Sequence, residues 1–217
     1  MNQQVPTADE LKSAVLKFDE EWGAVDKVLY SLCGGHPGHD SLKHVIAKVV
    51  LIGRTYAAGI ERCVQPRSRE QSIVLVGKHL YEHGETVDEI ISSLPRDAEP
   101  LDPAAMQCIV EEHGRLTTLL RPICRGSRSP RSFVSKYLHF HHPAVPIYDS
   151  LAATALTGLV PWPRRTVPFE GPPAADETYW EFCVRLVLLL SACRDSGHNP
   201  TPKELDAFLL QAGILSA

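Results

Sequence analysis

Asp149 is the lone acid in "FVSKYLHFHHPAVPIYDSLA", residues 133 to 152, where it follows a proline-stiffened turn and precedes an Ala/Leu-rich run. Pro143 and Pro146 fix an extended connection. That places Asp149 as the N-cap of the helix that follows. Helix amides and the helix dipole favour a charged carboxylate there. Such an acid serves as a structural cap, and it can also steady a reaction that passes through a cationic sugar.

The second chemical feature lies just upstream. Between Gly114 and Tyr148 stand six cations, Arg115, Arg121, Arg125, Arg128, Arg131 and Lys136, and no acid. Within this basic island "RGSRSPRSFVSKYLHFH" reads as a helix start, with Ser129 as N-cap and Pro130 at the first helical position. The unpaired amides of the turn at Arg125, Gly126, Arg128, Ser129 and Arg131, with Lys136 beyond, form a candidate phosphate anchor. The plainer alternative is a solvated basic helix end.

These residues have to be positioned by helices, because helical periodicity dominates and no stretch alternates like a strand between hairpin turns. The chain is expected to be all-α, a two-lobed helical bundle with a cleft between the lobes. Thr7 with Glu10 forms a capping-box signature for a helix to about Leu32, with Leu11, Val15, Phe18 and Trp22 on one stripe. The spacing of Val45, Val49, Ile52, Tyr56 and Ile60 predicts a second helix from Ser41 to Arg62, interrupted by nothing stronger than Gly53. Further helices are predicted over 70–82, 85–94, 103–120, 130–141, 149–158, 177–194 and 202–213. Residues 161 to 177 hold five prolines and form a loop, which is taken as part of one compact unit spanning 1–217. Trp162, Tyr179 and Trp180 beside it are either a lid or loop packing.

A chain of 217 residues can bury one large core or two small lobes. Its net charge of −4 excludes a globally basic nucleic-acid binder, so any anionic partner must meet the local island instead. No apolar run approaches the ~18 residues of a membrane span, and "MNQQVPTADELK" lacks a signal peptide's basic and apolar blocks. The expectation is a cytoplasmic monomer without membrane contact. Six scattered cysteines without a CxxC pair read as small buried thiols.

The basic turn, the helix after it and the "PIYD" of Pro146 to Asp149 together resemble the core of the helix-hairpin-helix DNA glycosylases, over about residues 115 to 155. The resemblance implies a hairpin that grips the DNA backbone, a base flipped into a cleft between helical lobes, and Asp149 as the catalytic carboxylate for cleavage of the N-glycosidic bond. Two departures matter. "CRGSRSPRS" has one glycine where the family's turn has two, and the place of the Schiff-base lysine of bifunctional members is held by Ser129, Pro130 and Arg131. The expected activity is therefore monofunctional hydrolysis to an abasic site, with Lys136 as a secondary catalytic candidate. The implied partner is double-stranded DNA carrying a damaged or modified base, with no cofactor. Repair and antiviral excision of a hypermodified phage cytosine are both open by analogy. The competing class is a non-enzymatic helical module that binds nucleic acid or a partner.

A flipped base needs aromatic faces and polar edges, for which His36, His39, Arg54, Tyr56 and Tyr148 are candidates, alongside His44. The alternative is that Tyr56 packs in the core and Arg54 pairs with an acid. Cys33, His36 and His39 have metal-like spacing, but with neither CxxC nor HExxH present no metal is expected. His139, His141 and His142 are expected to close their helix or face phosphate.

Overall fold

A computed structural model describes residues 5–56, 58–64, 69–95, 101–163 and 166–216. Among these the chain is all-α: α1 (Ala8–Gly35), α2 (Leu42–Thr55), α3 (Ile60–Cys63), α4 (Arg69–Glu82), α5 (Gly84–Ser92), α6 (Pro103–Leu120), α7 (Arg131–His141), α8 (Ser150–Leu159), α9 (Glu177–Asp195) and α10 (Pro202–Ser216). The only pairing of extended backbone among the described residues is an isolated bridge between Val64 and Cys124. All six cysteines are free thiols.

α1 starts where its capping box predicts: Thr7 N donates to Glu10 Oε2 at 2.7 Å and Glu10 N donates back to Thr7 Oγ1 at 3.3 Å. The α1 stripe is only partly core. Leu11 and Phe18 are buried, whereas Trp22 is 37% exposed. α2 departs from the predicted single helix, and Gly53 is not the reason. Gly53 lies inside α2; the break comes at Tyr56, the C-cap, and Gly59 then turns the chain at φ 69° to open α3. Only glycine takes that backbone cheaply. Because the helical spacing resumes after the break, Ile52 and Ile60 are both fully buried.

One contiguous set of buried apolar side chains runs from Leu11 to Leu209 and draws on every helix. The chain ends close on each other: Phe18 and Ala14 of α1 pack with Ala207 of α10, and Gln211 Nε2 donates to Ala14 O at 3.0 Å. α10 also lies hard against α8. A Cβ on Gly213 would come 2.7 Å from Leu151 O, so only glycine lets the two helices approach this closely. The Pro-rich loop is not a free lid. Trp162 meets Trp180 edge-on at 5.5 Å, Trp180 Nε1 donates to Phe169 O at 3.4 Å, and Tyr179 is buried with its hydroxyl on Pro146 O.

Candidate active site

The packing of α1 against α10, with α7 and the start of α8 behind them, leaves a cavity of about 440 Å³. α1 supplies Phe18, Glu21 and Trp22 to its wall, and the end of α2 supplies Tyr56. α7 brings Lys136, the α8 cap brings Asp149, and α10 brings Asp206 and Gln211.

Asp149 is the N-cap of α8 in extended conformation (φ −128°, ψ 144°), and its Oδ1 accepts from Leu151 N at 2.9 Å. One oxygen therefore anchors the helix. The other, Oδ2, lies 3.4 Å from Lys136 Nζ on the cavity side. The carboxylate is partly open to the cavity, with 28% of its side chain accessible.

Lys136 is 2% exposed, so it is a wall residue and not the surface cation expected to contact a DNA backbone. Its ammonium donates to Tyr56 O at 2.9 Å and Ser132 Oγ at 3.2 Å, and with Asp149 these occupy all three of its protons. Burial pulls its pKa below the usual lysine range, and the Asp149 carboxylate opposes that shift. Trp22 and Tyr56 stand 5.9 Å apart at 37°. Both line the cavity, and the Tyr56 ring also meets Phe140 at 5.3 Å and the Lys136 ammonium at 5.9 Å.

Asp206 shares the wall, and sequence reasoning missed it. Burial raises its carboxyl to about 7, the ammonium groups of Lys203 and Lys136 oppose the shift, and the charges of Asp149 and Asp26 add to it. A signal was present: "LDAFLLQAGIL" holds one acid in an otherwise apolar helix face. Phe18 and Trp22 lie on the predicted α1 stripe; Phe18 is buried against Ala207 and also meets the cavity, and Trp22 meets it partly exposed.

The other predicted pocket residues lie elsewhere. His36 stacks on His44 with ring centres 3.6 Å apart. His39 is buried away from the cavity lining, with Nδ1 2.6 Å from Asp88 Oδ1 and Nε2 2.7 Å from the Tyr137 hydroxyl. Arg54 pairs with Glu61 at 3.3 Å. Tyr148 turns away to meet Phe182 edge-on, with the Arg131 guanidinium 5.6 Å from its ring centre. Of the five, only Tyr56 faces the cavity. Among the described residues no group of three His, Cys, Asp or Glu side chains is disposed to hold a metal, and Cys33 is buried. His139 and His141 do not face phosphate. His139 is buried and His141 half-buried; each bonds internally, to Tyr30 and Val145 O and to Lys48 and Tyr137 O respectively, and removal from solvent lowers both to about 3.

The basic turn keeps its cations but not all of them are available. α6 and α7 are joined by a 3-10 turn (Arg121–Ile123) and the irregular residues 124–130, with Gly126 at φ 54°. The N-cap of α7 is Pro130, one residue later than predicted, because the Ser129 hydroxyl is drawn to Asp176 Oδ2 at 2.5 Å. Arg131 is claimed by the same carboxylate at 2.7 Å, and Arg115 by Glu89 and Glu112. Arg121, Arg125 and Arg128 are exposed, and Arg62 of α3 joins them, since Arg128 Nη1 donates to Arg62 O at 2.8 Å. A positive surface thus exists, built from two chain segments. No protein-family model, curated protein or solved structure matches the chain.

Proposed function

We propose that the chain is a monofunctional DNA glycosylase that hydrolyses the N-glycosidic bond of a flipped, damaged or modified base and leaves an abasic site. The observation that carries this reading is Asp149: a carboxylate fixed by its own helix through one oxygen and presenting the other to a cavity with aromatic walls. A carboxylate so held stabilises positive charge developing on the sugar and orients the water that attacks it. Trp22 and Tyr56 give the cavity that would take an extruded base an aromatic lining. Lys136 acts as the fixed cation that orients Asp149, since its protons are all engaged, and water is then the nucleophile. The exposed arginines 62, 121, 125 and 128 suit the phosphate backbone. A cavity of about 440 Å³ lies in the ordinary range of small-ligand sites and suits a damaged base or a hypermodified phage cytosine, so repair and defence both fit this reading.

The cap bond from Leu151 N to Asp149 is also what a purely structural residue makes. It is the one observation that favours the alternative, a helical nucleic-acid-binding module without activity. A duplex panel separates the two readings. It holds uracil, 8-oxoguanine, 3-methyladenine, 5-hydroxymethylcytosine or normal bases, together with phage DNA rich in hypermodified cytosine. The protein is expected to produce alkali-labile breaks in at least one member, and Asp149→Asn to abolish them. Binding without breaks across the whole panel leaves the module as the correct reading.

A further inference from the structure

Cleavage of the N-glycosidic bond to a neutral base that leaves poorly as an anion is helped by a proton for the departing base as well as a partner for the sugar cation, and Asp149 supplies only the second. α10 turns Asp206, Ala207, Leu210 and Gln211 toward the cavity. Asp206 is 6% exposed, and its Oδ1 has no hydrogen-bond partner among the described residues. Of the ammonium groups that act on it, only Lys136 has its protons all engaged; the Lys203 ammonium has a carboxylate neighbour but no hydrogen bond among the described residues. Lys203 pairs with Asp26 at 2.8 Å and lies 4.2 Å over the Phe18 ring, and Lys136 is held by Tyr56 O, Ser132 and Asp149. Ionised, Asp206 would be a buried charge with one oxygen that has no donor among the described residues, at the wall of the cavity.

We infer that Asp206 is the proton donor to the leaving base, forming with Asp149 a carboxyl pair of divided roles. This rests on the glycosylase reading above. The bond from the sugar anomeric carbon to the base nitrogen breaks with its electrons going to the base, which takes the Asp206 proton. Water adds to the anomeric carbon and gives its proton to the Asp149 carboxylate, and solvent returns that proton to Asp206. The sum is base–sugar plus water to free base plus abasic sugar. Burial sets the Asp206 carboxyl to about 7, so the donor form persists near neutrality. The other charged groups that face it are Lys136, Asp149 and Lys203, Asp26 behind them, and Lys17 and Glu21 across the cavity.

The test is the single-turnover rate from pH 5.5 to 8.5 on the panel duplex that is cut, for the wild-type protein and Asp206→Asn, with thermal unfolding as the check on folding. Wild-type excision is expected to fall about tenfold per pH unit above about pH 7. In Asp206→Asn that limb disappears and the rate at pH 6 drops by about a hundredfold or more. An Asn variant that folds and keeps the wild-type rate and limb overturns the assignment. If it does not fold, the wild-type profile decides, and a rate flat to pH 8.5 overturns it equally. Excision with an unchanged Asp206→Asn profile removes only this inference, whereas no excision from any duplex removes the glycosylase reading and this one together.

Discussion

At the residue scale the site depends on how one ammonium spends its protons. Lys136 gives them to a backbone carbonyl, a hydroxyl and Asp149, and its burial leaves little access to a sugar aldehyde. A Schiff base would require the amine to shed that network and lose its charge. Borohydride added during turnover is therefore expected to trap no covalent protein–DNA adduct on denaturing gels. An adduct lost in Lys136→Gln would make lysine the nucleophile and displace water from the mechanism. Asp149 was legible as a helix cap because it follows a proline-fixed turn, whereas Lys136 reads in the sequence chiefly as a backbone-contacting cation and its burial in the cavity wall was not legible. Nor was Asp206, because its environment is set by α1 and α7, distant in the chain; only its isolation in an apolar helix hinted at it.

Elements place these residues with little slack. Asp176 caps α9 by accepting from Tyr179 N at 3.1 Å and also binds Arg131 and Ser129 at the start of α7, so one side chain sets the register of two helices. Arg131 and Ser129 lower its pKa against the effect of its burial. Asp176→Ala removes a cap and leaves Arg131 without its carboxylate. It is expected to cost about 3 kcal/mol, read as a lower urea midpoint at unchanged slope. A loss below about 0.5 kcal/mol would mean the contact is not a structural hinge of the site. Helix positions were readable from capping boxes, prolines and 3.6-residue spacing, and α4 through α9 fall close to their expected ranges. The break after α2 escaped because Ile60 keeps the helical spacing across it, so periodicity alone could not see Gly59 turning the chain. The α7 cap shifted because a carboxylate 47 residues away competes for the Ser129 hydroxyl.

For the molecule as a whole, histidines withdrawn from solvent set the limits of stability in acid. His113 is held to about 4, His139 and His141 to about 3, each chiefly by burial. For these three the folded form prefers the neutral ring while the unfolded chain takes up protons below about pH 6.5. Stability is thus full above that value and is lost as pH falls toward the folded pKa values. The three together contribute a slope on the order of 4 kcal/mol per pH unit at its steepest. Thermal unfolding is expected to show a fall in midpoint that begins near pH 6.5 and ends in cooperative unfolding before pH 4. A midpoint flat from pH 7 to pH 4.5 would contradict the neutral assignment. Asp206 works in the opposite sense: its stabilising contribution is present below the unfolded value near 4 and is lost as pH rises to about 7. The two effects narrow the range of greatest stability from both sides.

The yield of abasic sites tests the proposed cleavage of a glycosidic bond by Asp149 most directly. Equal amounts of folded wild-type protein and Asp149→Asn are incubated with the duplex panel and with hypermodified phage DNA, then treated with alkali. The wild-type protein is expected to leave alkali-labile breaks that fall by a factor of about 10³ or more in the variant. Equal break yields from the two proteins on a cut duplex would contradict the account.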